Sequence, residues 1–551
     1  MVYSYVHNGQ LDTYGCNIFI GGTRTMRTKS LKIEELSTEQ KIGMLFCARR
    51  CGREAEFEYT LEMIRNRSLG SIQVPINDKT PEIIKAIKEA ADYPILIIND
   101  MEQGYPRSGL PAISAMTLAA CDDPQYYRAF AKAIVAHAKA EGFNGTWGPI
   151  ADILGGNGPC RVSRTFGDTP EKVLKANLEI AAVFKEYGFM STGKHYPGSE
   201  DSPYDTHMTE GICHATKEQL LSCDLIPYIE LMNQGVLPAI MTGHKVFDNI
   251  DPDYPASASK KVIDIIREQG FDGVAFTDSL AMMGILQKYG EENIMGICVA
   301  AGNDIILPNY RTPIDVAYGY LLQNYRDGVF SEKRLNEAVR RVLALQAEIG
   351  AKADLIPEFT DDDREILSSV ARDCITAVTD DGTTASVGDP NKKRLFAIVT
   401  PLNFKDNAPE QEIRSGEWYF PKKIEAKIKE EFPNSEVVFV PEFATPAENE
   451  KVLVAATKHD EVIFVTFCVT SAYLGTDCMT RRTEALINAL SLSGKVKALV
   501  HFGNPYAIKP INHIPKIILG YTAPESQGYA IEALAGKIEA KGHLPFDIKF
   551  N

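Results

Sequence analysis

The strongest constraint on the fold is an alternation. Short apolar runs recur along the first 350 residues, and amphipathic helical stretches separate them. Candidate strands are Ser71–Val74, Ile95–Asn99, Gly145–Trp147, Met190–Thr192, Ala239–Met241, Gly273–Phe276 and Asp304–Leu307. Between them lie helical patterns such as Pro81–Ala91, Tyr126–Glu141, Pro170–Tyr187, Lys217–Gln234 and Ser259–Gln269. Apolar runs of this length, linked by helices, are parallel strands with crossover connections. Seven strands favour a (β/α)8 TIM-like barrel with one strand missing or irregular. The competing arrangement is an open doubly wound sheet, but no GxGxxG motif follows any of the strands.

Before the barrel, residues 1–35 form a polar, Gly-rich N-terminal extension. Ser37-Thr38-Glu39-Gln40 then opens a helix in capping style, and Ile42, Met44 and Leu45 continue its apolar face. The expected organisation is a catalytic barrel over 36–350, a linker over 351–370 and a smaller C-terminal α/β sandwich domain over 371–551. In the last, Leu395–Thr400, Val437–Val440, Val462–Phe467, Ala498–Phe502 and Lys516–Leu519 again alternate with helices. A length of 551 residues suits two domains.

Composition removes several classes of function. A net charge of −15 argues against nucleic-acid partners and anionic membrane surfaces. No apolar run reaches the roughly 18 residues of a membrane-spanning helix, so no membrane insertion is expected. Met1–Arg27 lacks a signal-peptide pattern. The eleven cysteines are scattered without a CxxC pair, as reduced thiols are. Together these features give a cytoplasmic expectation.

Polar residues gather just past the strand ends. Asp100 ends one strand, Pro149 and Asp152 follow another, and Lys194-His195 follow a third. Thr242-Gly243-His244 and Thr277-Asp278 end two more. A parallel barrel brings all of these to one face, where its active site is built. The densest stretch is Lys194–His207, with two histidines, three carboxylates, two prolines and a glycine. In an extended Asp205-Thr206-His207 segment, residues two apart face the same way, so Asp205 can hold one imidazole nitrogen of His207. Taken alone, such a DxH is more often a structural contact. Asp278, after an apolar run, suits a nucleophile at the barrel mouth, or an N-cap for the segment from Ser279.

Three mechanisms are compatible with these residues. One is glycoside cleavage, with Asp278 as nucleophile, His207 as acid/base, and Lys194, Arg164 and Asp100 on sugar hydroxyls. A second is Schiff-base chemistry at Lys194, tuned by His195 and Glu200. The third is metal-assisted hydrolysis by His195, His207, His244 and Asp278, which lacks an HxH or HExxH spacing and ranks last. Residue chemistry alone leaves the first two close.

The chain resembles glycoside hydrolase family 3, in particular its β-N-acetylglucosaminidase branch. The matching blocks are Pro94–Gly104, Leu110–Ala120, Gly148–Asp152, Ser163–Asp168, Lys194–Gly198, Asp205–His207, Ile240–His244 and Gly270–Met282. The resemblance implies that Asp278 is the nucleophile and His207, supported by Asp205, the acid/base. It implies that Asp100, Arg164, Lys194 and His195 contact the non-reducing sugar, with Arg107 helping. The implied reaction is retaining removal of terminal N-acetylglucosamine through a glycosyl-Asp278 intermediate, with no metal or organic cofactor. His501–Tyr506 and Gly542–Pro545 resemble the family's C-terminal domain. Its role stays open between closing over the site, mediating a homodimer and stabilising the barrel. Departures from the family's usual sequence are Asp100-Met101-Glu102-Gln103-Gly104 for DQEGG, and Ser199-Glu200 where His-Gly is common. Cys160 stands in the stretch before Arg164.

A histidine acid/base is never anionic and so does not repel an anionic acceptor. Transfer of the sugar to phosphate, the reaction of a phosphorylase, is therefore the main alternative to hydrolysis. A β-glucosidase and a catalytically silent sugar-binding protein rank lower. The family resemblance and the cytoplasmic expectation together suggest carbohydrate metabolism in cell-wall recycling.

Overall fold

The structure is a computed structural model, and it describes residues 29–49, 54–155, 162–198, 205, 207–380, 382, 384–401, 411–414, 417–468 and 479–550. Most of the expected N-terminal extension, along with Cys160, Ser199, Glu200 and Thr206, lies outside the described residues.

Eight parallel positions close into a ring. Cys47–Arg49, Ser71–Gln73, Leu96–Asn99 and Gly145–Thr146 pair in that order. Gly193–Tyr196, Ala239–Thr242 and Val274–Thr277 form a second parallel run. Parallel bridges Gly145↔Met190 and Ile150↔Lys194 join the two runs on one side. On the other side, Phe276↔Ile305 and Phe46↔Ile306 place residues 305–306 as the eighth position. Helices such as Glu54–Arg65, Thr80–Ala90, Pro124–Glu141, Pro170–Glu186 and Lys260–Glu268 return the chain between successive positions.

The two-residue period of a strand decides which side chains fill the barrel. Leu96 and Ile98 share an interior cluster with Trp147, Met241 and Phe276, whereas Ile97 packs outward with Ile72 and the helices. Both faces are therefore apolar and buried, as in any helix-covered parallel sheet. The expected Met190–Thr192 strand is displaced to Gly193–Tyr196, with Met190 making only a bridge. The missing eighth strand is Cys47–Arg49. The sequence hides it, because its apolar run follows the helix Thr38–Met44 without a Gly or Pro boundary. The capping box of Ser37 and Gln40 forms as expected.

A helix, Asp361–Asp373, capped by Thr360, begins inside the stretch expected as a linker and runs past its end. The second domain carries a six-stranded mixed sheet. Its order is Thr376–Thr379, Lys516–Tyr521, Val496–Gly503, Glu461–Cys468, Arg394–Thr400, Glu436–Pro441. Only the Thr376–Thr379 edge is antiparallel, and sequence reading missed this short strand. The domain is bonded directly to the barrel domain. Met116, Ala120, Leu154 and Val162 enter its core, the Thr522 hydroxyl donates to Ser114 Oγ at 2.7 Å, and His543 N–H donates to the Ala120 carbonyl at 2.8 Å.

An ion cluster is built where the chain enters the eighth barrel position. Asp304 is fully buried and accepts from Arg334 Nη2 at 2.6 Å, Arg267 Nη2 at 2.9 Å, Arg341 Nη1 at 3.4 Å and Ala275 N–H at 3.0 Å. Removing one partner from a buried ionic group leaves the remaining charges unpaired, at a cost of about 3–5 kcal/mol. Asp304→Ala is expected to lose about that much stability. Guanidinium unfolding at constant m-value measures it, and an unchanged midpoint would rule out a structural role for the cluster.

Candidate active site

The strand ends do converge. Lys194 lies in the strand Gly193–Tyr196 and is almost wholly buried, yet its ammonium meets two carboxylates, Asp100 Oδ1 and Glu102 Oε1, each at 2.6 Å. Both carboxylates sit on the loop that follows Leu96–Asn99. Arg164, from the loop after the fourth barrel position, grips Glu102 in a two-pronged pair, Nε to Oε2 at 2.8 Å and Nη2 to Oε1 at 2.7 Å. Two cations thus face two carboxylates, and the group is close to neutral.

Burial by itself would discharge Lys194. Asp100 and Glu102 outweigh it and hold the ammonium above its ordinary pKa. Glu102 is likewise opposed by burial but held well below the carboxylate range by Arg164 and Lys194. A permanently protonated lysine is a poor nucleophile, so this geometry opposes the Schiff-base route.

His195 is anchored twice by Asp152, through its backbone N–H to Oδ1 and its Nδ1 to Oδ2, both at 2.7 Å. That leaves Nε2 facing the cavity, 3.4 Å from Arg164 Nη2 and 3.9 Å from Asp278 Oδ2. Asp278 follows the strand Val274–Thr277. Its Oδ1 accepts the adjacent Ser279 N–H at 2.6 Å and leaves Oδ2 toward the cavity; the next helix begins only at Met283, so Asp278 is not the N-cap that the sequence allowed. Burial pushes its carboxyl up, but His195, His244, the Ser279 N–H and Lys194 together bring it down to about 2. The group is an anion at any ordinary pH.

His244 supports this turn from behind. Its Nε2 donates to the Ser279 carbonyl at 3.0 Å and its Nδ1 accepts from the Ser257 hydroxyl at 2.8 Å. Burial lowers its pKa, consistent with a neutral ring whose nitrogens are both engaged. His244, one of the four candidate metal ligands, has neither ring nitrogen left for a metal. Among the described residues no group of three or more His, Cys, Asp or Glu is placed to hold a metal ion.

Asp205 and His207 form the expected pair, His207 Nδ1 to Asp205 Oδ1 at 2.8 Å. Asp205 is buried and also accepts the His207 backbone N–H at 3.0 Å. The Met283 N–H donates to the His207 carbonyl at 3.3 Å, tying this loop to the segment after Asp278. Asp100, Arg164, Lys194, His195, His207 and Asp278 all line one cavity of about 300 Å³, at the small end of ligand pockets.

Arg107 is the exception. Its guanidinium pairs with Glu141 through Nε and with Asp78 through Nη1, both at 2.9 Å, and it does not line the cavity. Its place at the site is corrected accordingly: two carboxylates hold it on the barrel surface. Sequence reasoning passed over Glu102 as a site residue, although it stands two positions beyond Asp100 on the same loop. It also left out Asp152, whose position past a strand end was a usable signal. Arg49, Gln73, Trp147 and Tyr310 also line the cavity, and Arg49 was hidden with the unseen Cys47–Arg49 strand.

A "Beta-N-acetylglucosaminidase/beta-glucosidase" of Cellulomonas fimi is 26% identical over 340 residues, 58% of this chain and 59% of that protein's length. A "Beta-hexosaminidase" of Actinobacillus pleuropneumoniae is 32% identical over 215 residues, 37% of this chain and 61% of its own. Among solved structures, a glycoside hydrolase family 3 β-N-acetylglucosaminidase from Paenibacillus superposes with a TM-score of 0.75 at 23% identity, over 94% of this chain and 100% of that one. A β-glucoside phosphorylase bound to 2FGlc superposes with a TM-score of 0.77 at 20% identity, over 93% and 95%. The family profile "Glycosyl hydrolase family 3 N terminal domain" matches residues 32–345, and this chain belongs to that family of glycoside hydrolases.

Proposed function

We propose that the protein is a retaining β-N-acetylhexosaminidase that removes a non-reducing terminal N-acetylglucosamine. The observation that carries this reading is the shared cavity of an anionic Asp278 and an Asp205-anchored His207. The names of the Cellulomonas and Actinobacillus relatives support the choice of an N-acetylhexosamine.

The hydrogen bonds support the following division of roles. Asp278 Oδ2, not engaged by Ser279, attacks the anomeric carbon and forms the glycosyl ester. Asp205 holds a proton on Nδ1 of His207, so its Nε2 is the atom that exchanges protons. As imidazolium, His207 gives the Nε2 proton to the leaving oxygen. As neutral imidazole, it takes one from the water that cleaves the ester. Lys194, Asp100, Arg164 and His195 hold the sugar hydroxyls from the opposite wall. Glu102 keeps the two cations in place before substrate arrives, which lowers the reorganisation needed at reaction.

A second reading, transfer to phosphate, is favoured by the same histidine, which carries no negative charge to repel an anionic acceptor. Release of the sugar 1-phosphate on adding phosphate would replace hydrolysis with phosphorolysis. The setting we propose is cytoplasmic cell-wall recycling. It is supported by the free thiols of the seven described cysteines, and cell fractionation that finds the enzyme elsewhere would overturn it.

Asp278→Ala and His207→Ala should each reduce turnover of an aryl N-acetyl-β-glucosaminide by ~100-fold or more, the usual scale for loss of such groups. Near-normal rates in either variant would refute its role. The same substrate should outrun the matching aryl glucoside. The pH profile gives an independent check. A carboxyl with its pKa lowered to about 2 is ionised above that pH and is neutralised only as pH falls through it. The acid limb of kcat/KM should therefore owe nothing to Asp278 between pH 3 and 5, the range where ordinary carboxylates titrate. An acid limb in that window, retained when the other cavity carboxylates are replaced, would overturn the assignment.

A further inference from the structure

The ring order of the barrel sets two walls against each other. The sugar-gripping groups stand on and after the third to fifth positions, and the junction of the eighth and first positions lies directly across the mouth. That far wall carries Arg49, the last residue of Cys47–Arg49, and Tyr310, just beyond residues 305–306. The Arg49 guanidinium carbon sits 4.3 Å from the centre of the Tyr310 ring, and that of Arg311 sits 4.8 Å from it.

These two cations, Arg49 on the cavity wall and Arg311 outside its lining, differ from Lys194 and Arg164. Lys194 and Arg164 are neutralised by Asp100 and Glu102. Neither Arg49 nor Arg311 forms an ion pair with a carboxylate among the described residues. Arg311 is fixed by Nη1 on the Ala281 carbonyl at 3.1 Å, three residues past Asp278. Stacking on an aromatic face restrains a guanidinium while leaving its N–H edge free, and that edge matches a carboxylate or phosphate with two parallel hydrogen bonds.

We propose that Arg49, which lines the cavity and is held against Tyr310, binds an oxyanion on the leaving-group side of the cavity, with Arg311 on the same ring adding positive charge behind it. The inference rests on the N-acetylglucosaminidase reading, which puts the sugar on the Lys194 wall and the departing group across from it. The anion is a carboxylate or phosphate carried by the leaving group, or free inorganic phosphate acting as acceptor. In the second case a phosphate oxygen forms the new bond to the anomeric carbon as the Asp278 ester bond breaks. The bonding pair returns to the Asp278 carboxylate, and any proton on the attacking oxygen passes to His207.

Phenyl and para-carboxyphenyl N-acetyl-β-glucosaminides, each with and without inorganic phosphate, test the proposal on wild type, Arg49→Gln, Arg49→Lys and Arg311→Gln. The readout is the ratio of kcat/KM for the anionic over the neutral substrate, which cancels any loss common to both. A fall of about tenfold in this ratio in Arg49→Gln, with Arg49→Lys between, assigns the anion to the leaving group. The wild-type ratio should also shrink at high salt. Phosphate-dependent formation of the sugar 1-phosphate, lost in Arg49→Gln, assigns it to free phosphate. An unchanged ratio in both Gln variants, with no phosphate effect, overturns the proposal while leaving the glycosidase reading intact. If wild type cleaves neither substrate, that reading fails. Calorimetric titration with inorganic phosphate then decides: binding weakened about tenfold in Arg49→Gln supports the oxyanion site, and absent or equal binding overturns it.

Discussion

Much of the site depends on one buried ammonium. Lys194 could not stay charged in a packed barrel mouth without Asp100 and Glu102 at 2.6 Å on either side. The three residues, with Arg164 on Glu102, bind together the ends of the third, fourth and fifth barrel positions. Such a cluster gains little net stability, because desolvating the ions cancels most of the attraction. Its consequence is geometric. It presents charged donors and acceptors to a polyhydroxylated ligand in an arrangement already set, and it adds almost no net charge to the cavity.

The two ends of the barrel use buried ions for different ends. Asp304, where the chain enters the eighth position, is surrounded by Arg267, Arg334 and Arg341 and opens onto nothing. At the other end Asp278, His195 and His207 also make close polar contacts, but each retains an atom toward the cavity. This is the division expected of a parallel barrel, with stability at the N-terminal face and chemistry at the C-terminal face. The second domain adds buried contacts through Ser114, Ala120 and Thr522, while among the described residues those lining the cavity come from the barrel.

Legibility followed the physics of each residue. Leu96–Asn99 and Val274–Thr277 were readable because strands covered by helices on one side and a packed interior on the other must be apolar throughout. Asp205 and His207 were readable because their pairing is local, two residues apart. Cys47–Arg49 was not, since nothing in its composition separates it from the helix before it. Arg107 resembled a sugar-binding residue only in sequence: Asp78 and Glu141, distant in the chain, claim its guanidinium.

The sequence by itself determined the parallel α/β architecture, the gathering of polar residues toward the C-terminal ends of the strands, and the Asp-His pair, but it set Lys194-His195 past a strand in which they lie. These rest on period, composition and short-range geometry. Only the tertiary structure decided that Glu102 belongs to the site, that Lys194 stays protonated, and that Asp278 is held as an anion. It also decided that Arg49 lies against Tyr310 across the cavity from Lys194, with Arg311 against the same ring. Charge states and ion pairs depend on how deeply a group is buried and which distant segment faces it, and closure of the ring brings those segments together.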